Sequence, residues 1–477
     1  MAGESMSVRG ISGAQRRKIF YGSSMGNLLD WYDFSVYGSL GVVISKEFFP
    51  KSNIIAALLA TFLVFALGYL FRPAGGLFFG YFGDKLSRRT TYIVVIIGMG
   101  IATGLIGVLP TTLAVGSIAV IMLVIMRAVQ GFMVGGAPGA GTSLVAESFP
   151  NEKRGLFTSL FSAVYPAGIL LTDAVILPLA YFAGNTGLLE WGWRVPFLLG
   201  FPIMLIALYF VYRIEEPPLY KAISEQRSKS KNPIKEAFAK NPLQMTVIGI
   251  LGITGSSATM GYVGAVYVLV YMQSVLHISY YLSYLIFLPA ISSVVILDVV
   301  WGWLSDKIGR LPLFVIGLGL GASIEIPFFY LWGFAAHPLI LPLMILLALV
   351  IELPYSLTQG LQALIQSELF PTRVRFTGVA FTWDMGLGIF GGLQTYAATY
   401  LLSTLGGVTY TSTGAIATVK YPWIGLLYTT AGCSMGLVVL TAFRKWLPKK
   451  GMRIESLDEL PPVMNSQASA AKGDGNS

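Results

Sequence analysis

Residues 80–89 read GYFGDKLSRR, and residues 302–310 read GWLSDKIGR. Both stretches follow a long apolar run, and their aspartates are 222 residues apart. A second marker repeats at nearly the same interval, because ESFP at 147–150 returns as ELFP at 368–371, an offset of 221 residues. Two unrelated strings that share one period indicate that the chain is built from two parallel copies of one unit.

The composition excludes an ordinary soluble protein. Of the 477 residues, 55% are hydrophobic and only 12% are charged, with a mean hydropathy of +0.70. Soluble domains carry roughly 25% charged residues. The apolar residues fall in long runs, and about 20 apolar residues cross a bilayer as a helix. The sequence therefore predicts an all-α membrane protein.

Apolar runs broken by charged or turn residues predict twelve transmembrane helices in two pseudo-symmetric six-helix bundles. Spans one to six are predicted at 20–44, 54–82, 91–109, 113–147, 155–183 and 192–213. Spans seven to twelve are predicted at 244–274, 279–303, 311–334, 338–367, 376–403 and 421–446. The predicted domains are a cytoplasmic N-terminal segment (1–19), the first bundle (20–213), a cytoplasmic linker (214–243), the second bundle (244–450) and a disordered cytoplasmic tail (451–477).

The net charge of +9 is explained by where the basic residues lie along the chain. With both termini in the cytoplasm, cytoplasmic segments hold 26 of the 32 Lys and Arg residues. Four lie in the opposite loops, and only Arg72 and Arg127 lie within spans. This is the asymmetry that sets membrane orientation. We expect a multi-pass cell-membrane protein with both termini cytoplasmic, and no nucleic-acid partner.

The two repeated loops resemble the signature of the major facilitator superfamily between spans two and three and its copy between spans eight and nine, with Ser87 in place of the usual glycine. Within that superfamily, the string GNLLDWYDF at 26–34, RPAGG at 72–76, RAVQG at 127–131 and ELFPTRVR at 368–375 resemble the metabolite:proton symporter family. The resemblance implies the major facilitator fold and proton-coupled uptake. Known members carry dicarboxylates and tricarboxylates, shikimate, proline or betaine.

The first span carries the predicted proton-coupling acid. Ionised groups near the bilayer centre are expensive, so they are functional candidates. Burial disfavours an ionised carboxylate and a nearby guanidinium favours it, and these opposed effects make a switch. We predict that Asp33 alternates between a protonated form and an ionised form paired with Arg127, with Asp30 as a second titratable group. Similarity to the sugar-porter branch supports this pairing, and a permanent salt bridge that only fixes helix packing is the alternative.

The predicted substrate-binding residues share helix faces with that pair. Asn27 and Tyr37 lie on the same face of span one as Asp33, and Gln130 follows Arg127 by three residues. Trp383 and Asp384 complete the predicted set, and Asp384 replaces an asparagine that is frequent in the family. The sequence leaves two interpretations of Arg72 open: its side chain contacts an anionic substrate, or it extends to the membrane–water interface.

The repeated loops are predicted to form a gate on the cytoplasmic side. An aspartate at a helix end can bind helix N-termini and arginines of the other half. The predicted gating residues are Asp84, Arg88, Asp306 and Arg310. Plain topogenic charge is the alternative.

Several questions stay open at this level. The roles of Asp173, Asp298, Glu325 and Glu352 within the spans are not determined by the sequence. The glycine-rich run at 131–141 lacks the ending of a phosphate-binding loop, so close helix packing is the better interpretation.

The function that the sequence favours is uptake of a small polar metabolite, such as an organic acid, osmolyte or sugar, by proton symport. A proton-driven exporter and a non-transporting membrane sensor are the alternatives. We expect no enzymatic activity, no cofactor and no metal, because the sequence offers no catalytic set and no paired Cys/His spacing. The expected partners are the small-molecule substrate, protons and the lipid bilayer, and we expect a monomer.

Overall fold

The computed structural model describes residues 13–49, 53–85, 88–137, 141–142, 145–146, 149, 153–212, 243–336, 340–370 and 375–447. The predicted linker (214–243) and tail (451–477) lie almost wholly or wholly outside these residues. Within the described residues the fold is almost entirely helical, and helices occupy the positions of the predicted spans.

The first half of the chain forms helices that overlap each predicted span, although their bounds differ from the predicted ones in both directions. They are Gly13–Ser39 and Gly41–Phe48 (span one), Ile54–Leu70 and Arg72–Lys85 (span two), Arg88–Gly107 (span three), Thr112–Val115 and Ile118–Val134 (span four), Arg154–Ser162 and Val164–Phe182 (span five), and Gly184–Gly187, the π-helix Leu188–Gly192, Arg194–Leu198 and Gly200–Tyr212 (span six).

The second half repeats this arrangement, with more π-helical turns. Its helices are Leu243–Val247, the π-helix Ile248–Gly255, Ser256–Tyr262, the π-helix Val263–Val268 and Leu269–Ser274 (span seven), Tyr280–Ile308 (span eight), Arg310–Ala335 (span nine), Leu341–Leu369 (span ten), Arg375–Gly386, the π-helix Leu387–Gly391 and Gln394–Leu405 (span eleven), and the 3-10 helix Pro422–Leu426, Leu427–Ala442 and the 3-10 turn Arg444–Trp446 (span twelve).

Nine helical segments within the described ranges are long and apolar enough to cross a membrane. The helix Ile118–Val134 is apolar but shorter. Span one carries many polar residues, and span eleven is interrupted between Gly391 and Gln394. Nine such segments make this a multi-pass membrane protein, while the count of twelve spans stays a prediction.

A small antiparallel hairpin, which the sequence analysis did not predict, joins spans eleven and twelve. Its strands are β1 (Val408–Tyr410) and β2 (Ile416–Val419), with Val408 paired to Val419. The turn uses Gly414 at φ 79°, a region that favours glycine. The carbonyl of Gly414 also accepts a hydrogen bond from the backbone N–H of Ile54, at 3.4 Å. We call this end of the bundle the hairpin end, and the opposite end, which carries the repeated signature loops, the loop end.

Glycines let spans two and four pack backbone against backbone. A Cβ added to Gly131 would lie 1.7 Å from the carbonyl oxygen of Gly68, and one added to Gly75 would lie 1.8 Å from that of Phe132. Such close helix contacts need residues without side chains. The first glycine of the run at 131–141 therefore lies in a close helix contact, as the sequence analysis expected. Residues 138–140 of this run lie outside the described part of the structure.

We predict that Gly131→Ala destabilises the protein strongly. The new methyl group would overlap the Gly68 carbonyl, and overpacking of this kind costs about 1–3 kcal/mol or more. The melting temperature of the detergent-purified protein measures the effect. Gly319→Ala is the matched control, because a Cβ on Gly319 would have no atom within 4 Å. Equal melting temperatures for the two variants would contradict the prediction.

The two halves meet at both ends of the bundle. At the loop end, spans five and eight touch closely, since a Cβ on Gly302 would lie 1.6 Å from the Ser159 hydroxyl. At the hairpin end, the Tyr284 hydroxyl donates to the carbonyl of Ser39 at 2.7 Å. The described halves therefore contact each other at both ends of the bundle.

Candidate functional site

Asp33 lies fully buried in the first half, inside a network of polar side chains from three spans. The Thr103 hydroxyl and the Gln130 amide both donate to its Oδ1. Gln130 also bonds the Thr103 hydroxyl at 3.1 Å and accepts from Nη1 of Arg127 at 2.9 Å. The network therefore connects the Asp33 carboxylate to the Arg127 guanidinium through one amide side chain.

Gln130 separates the two partners that the sequence analysis paired. Among the described residues, no nitrogen of Arg127 forms an ion pair with a carboxylate within 4.0 Å. Its guanidinium instead faces aromatic rings, at 4.4 Å from the Tyr37 centroid and 4.6 Å from that of Phe34. Such cation–π contacts stabilise a desolvated charge. The direct Asp33–Arg127 pair stays a prediction for another state of the transport cycle.

Arg72 forms the ion pairs that the structure does contain. Its Nη2 lies 3.3 Å from Oδ2 of Asp30 on span one, and its Nε lies 3.3 Å from Oδ1 of Asp384 on span eleven. All three side chains are at most 1% exposed. The guanidinium does not extend to the interface, so that interpretation of Arg72 was wrong. The group links spans one and two of the first half to span eleven of the second half.

An aromatic cluster adjoins this ion group. The Tyr165 ring lies 5.2 Å from the Trp31 ring and 5.5 Å from that of Trp383, which precedes Asp384. Among the described residues, Trp383 Nε1 and Asn27 Nδ2 have no hydrogen-bond partner. Buried polar atoms without partners need an explanation, and a bound substrate is one.

Tyr37 and Gln130, the other predicted binding residues, already have protein partners. The Tyr37 hydroxyl donates to the carbonyl of Thr61 at 3.2 Å, and Gln130 belongs to the Asp33 network. Both are completely buried. Their substrate contacts therefore stay a prediction.

The loop end holds the predicted gate. The carboxylate of Asp306 on span eight accepts backbone hydrogen bonds from Gly155 at 2.9 Å and from Leu156 at 3.0 Å. These N–H groups belong to the first turn of span five, where the helix dipole favours a negative charge. Arg310 lies 3.5 Å from Asp306 and 3.5 Å from Glu368 of span ten. The side chains of the other two predicted gating residues, Asp84 and Arg88, lie outside the described part of the structure.

Four further acids are buried in the spans. Asp173 accepts a hydrogen bond from the Ser39 hydroxyl at 2.9 Å. In the described part of the chain, no hydrogen-bond partner reaches either carboxylate oxygen of Asp298, Oε2 of Glu325 or Oε2 of Glu352. No group of three metal-ligating side chains suited to a metal ion occurs within the described ranges.

Comparison with known proteins decides the family. The sequence profile of the Major Facilitator Superfamily matches residues 24–393, well over half of the chain. The chain belongs to this superfamily. It is therefore a membrane transporter, and the twofold repeat of loops and spans is the superfamily's internal duplication.

Two curated relatives are named as transporters of small metabolites. The chain is 30% identical over 397 residues to the proline/betaine transporter of Salmonella typhimurium, covering 81% of this chain and 78% of that protein. It is 29% identical over 402 residues to the shikimate transporter of Escherichia coli K12, covering 83% of this chain and 90% of that one. Among solved structures, the proton:xylose symporter XylE bound to 6-bromo-6-deoxy-D-glucose has 20% identity and a TM-score of 0.69, covering 95% of this chain and all of that one. At 20% identity, the similarity to XylE shows a shared fold.

Proposed function

We propose that this superfamily member is a secondary active transporter that takes up a small polar metabolite together with protons by alternating access. The observation that carries the proposal is the buried Asp33 carboxylate, connected to the Arg127 guanidinium through Gln130. A buried acid beside a permanent cation can gain or lose a proton at small free-energy difference, because burial and the cation act in opposite directions. Protonation at Asp33 would then be coupled to the position of Arg127.

The hydrogen-bond network suggests how this coupling works. An ionised Asp33 accepts from Gln130 and Thr103, and the Gln130 oxygen is turned towards Arg127. Protonation removes the negative charge that strengthens these two hydrogen bonds, so the Gln130 amide is held less firmly in its present orientation. The contact of Arg127 with its only polar side-chain partner among the described residues is weakened in turn. One proton thereby changes the contacts of a charge in span four.

The substrate class follows from the relatives. Proline, betaine and shikimate, the compounds in the names of two similar transporters, each carry a single carboxylate. We propose that this protein likewise carries a small metabolite with one carboxylate. We further propose that it lies in the cell membrane as a monomer, with both termini and the loop end in the cytoplasm.

Transport into vesicles tests this function. We expect purified protein in proteoliposomes to accumulate radiolabelled proline, glycine betaine or shikimate when an inward proton gradient is imposed, and to lose accumulation when a protonophore is added. The driving force is large, since about 2.3 kcal/mol per charge at 100 mV supports a roughly 50-fold concentration ratio. Loss of preloaded substrate under the same gradient would indicate an exporter, and binding without transport would indicate a sensor.

A further inference from the structure

Arg72 holds two carboxylates from opposite halves of the transporter. Asp30 belongs to the first half and Asp384 to the second, and both lie 3.3 Å from guanidinium nitrogens. With two acids and one guanidinium, the fully ionised group has a charge of −1. Burial of an uncompensated charge is unfavourable, so one bound proton would make the group neutral.

Asp384 is the acid whose contact with Arg72 depends on how the halves are arranged. Its helix packs against span two, and a Cβ on Gly76 would lie only 2.6 Å from Asp384 Oδ2. Further along the helix, a Cβ on Gly388 would lie 2.9 Å from the carbonyl of Tyr69. Glycines thus bring these two spans together across the boundary between the halves. The Arg72–Asp384 contact must break whenever they separate at this level.

Few other charged groups surround Asp384. Arg72 and Asp30 interact with it electrostatically, and the packed π-helix Ile248–Gly255 carries no ionisable side chain. On span ten, which also touches this helix, Glu368 is paired with Arg310 at the loop end. Within the described structure, Arg72 and Asp30 are therefore the charged groups that face Asp384.

Buried hydrogen-bond donors lie beside this group. Tyr165 has Thr142 and Asn27 as well as Asp30 and Arg72 among its polar neighbours, and no described residue forms a hydrogen bond of normal geometry with its hydroxyl. Trp383, next to Asp384, has an unpartnered indole N–H within the described structure. An amide, a hydroxyl, an indole N–H and a guanidinium are all donors, and this is the set that recognises a carboxylate.

We propose that Asp384 and the carboxylate of the substrate compete for Arg72. Uptake of a proton by Asp384 ends its ion pair, and the substrate carboxylate then takes its place at Arg72, with Asn27, Tyr165 and Trp383 as further donors. Asp30 stays beside Arg72, so the site favours a molecule with one carboxylate whose remaining part is cationic over one whose remaining part is neutral. This inference rests on the proposed function and adds a second proton-binding position to it.

Ligand binding to the detergent-purified full chain tests the proposal. The probes are two matched pairs, glycine betaine with choline and shikimate with its methyl ester, in which only the first member carries a carboxylate. Affinities are measured by thermal shift and calorimetry at pH 5.5 and 7.5. For the wild-type protein we expect at least one carboxylate to bind, its partner to bind far more weakly, and affinity to fall by up to about tenfold per pH unit because a proton is taken up with the ligand.

Asp384→Asn mimics the protonated acid and separates the proposal from a purely structural role. The variant should bind the carboxylate at both pH values with an affinity equal to or above that of the wild-type protein at pH 5.5. Arg72→Gln should lose carboxylate binding, and the double variant Arg72→Gln/Asp384→Asn, which leaves one buried acid without its partner instead of two, should lose it as well. If the single Arg72→Gln variant fails to fold, the double variant still tests whether Arg72 is needed for carboxylate binding.

Any one of four results would overturn the proposal. They are equal binding of betaine and choline, the same pH dependence of binding in Asp384→Asn as in the wild-type protein, retained carboxylate binding in the double variant, and no binding of either carboxylate to Asp384→Asn. If Asp384 has no influence while a proton gradient still drives uptake, this inference fails and the proposed function stands. If Asp384→Asn behaves as expected but a gradient drives no uptake, the proposed function fails instead.

Discussion

The Asp33→Asn variant is expected to exchange substrate across the membrane while losing proton-driven accumulation. Asparagine keeps an oxygen that can accept from Gln130 and Thr103, so the fold should survive. It cannot bind or release a proton, so the Gln130–Arg127 contact would no longer depend on pH. Proteoliposome uptake under an imposed gradient and counterflow without a gradient measure the two activities separately.

The expected loss is large. At 100 mV, one coupled proton supports a roughly 50-fold accumulation of a neutral substrate, and the variant should fall to a ratio near one. Asp173→Asn is the control, because Asp173 is an equally buried acid of the same half whose hydrogen bond goes to Ser39 and not to this network. Gradient-driven accumulation by Asp33→Asn at the wild-type level would exclude Asp33 as the coupling acid.

Much of this architecture could be predicted because the bilayer imposes it. A spanning helix must be apolar over about 20 residues, so hydropathy alone located the described helices, although some of their ends differ from the predicted bounds by seven residues or more. The positions of Asp33 and Arg127 followed from the same constraint, since charges inside apolar runs are rare and functional. Helical spacing also placed Gln130 on the face of Arg127, where the structure has it bonded at 2.9 Å.

Contacts between helices could not be predicted in this way. Arg72 and Asp384 are separated by 312 residues, and no periodicity in either span indicates that they meet. The sequence did indicate that Arg72 would have acidic partners, because the spans contain more acids than bases and Arg72 is one of only two basic residues well inside them. Its partners nevertheless depend on the glycine contacts between spans two and eleven. The hairpin β1–β2 was also missed, since two strands of three and four residues are too short to show alternation.

The two ends of the bundle have different contacts between the halves. At the hairpin end, the Tyr284 hydroxyl donates to the Ser39 carbonyl, a neutral bond, and the Lys46 ammonium donates to the Tyr280 hydroxyl at 3.4 Å. At the loop end they include a carboxylate, since Asp306 binds two backbone N–H groups of span five. Hydrogen bonds that involve an ionised group are roughly twice as strong as neutral ones. A change at Asp306 should therefore shift the balance between open and closed states more than a change at Ser39 or Tyr284.

We predict that Asp306→Ala slows transport by about tenfold or more with little change in substrate affinity. Loss of the carboxylate leaves the Gly155 and Leu156 N–H groups without this acceptor, and a charged hydrogen bond contributes about 1.5–3 kcal/mol. The state with the loop end closed would lose that stabilisation, and about 1.4 kcal/mol already changes a population ratio tenfold. Initial uptake rates and equilibrium binding measure the two quantities.

Two companion variants separate the causes. Asp306→Asn keeps an acceptor oxygen without the charge, so its rate should lie between those of the alanine variant and the wild-type protein. Lys307→Ala is the matched control on the same turn. The Lys307 ammonium lies 3.6 Å from the centroid of the Trp303 ring, and Trp303 belongs to the same helix, so this contact does not join the two halves. The rate of this variant should stay within about twofold of wild type, as expected for an exposed charge. If Asp306→Ala transports at the wild-type rate, or if Lys307→Ala is equally slow, the bond between Asp306 and span five does not control the gate.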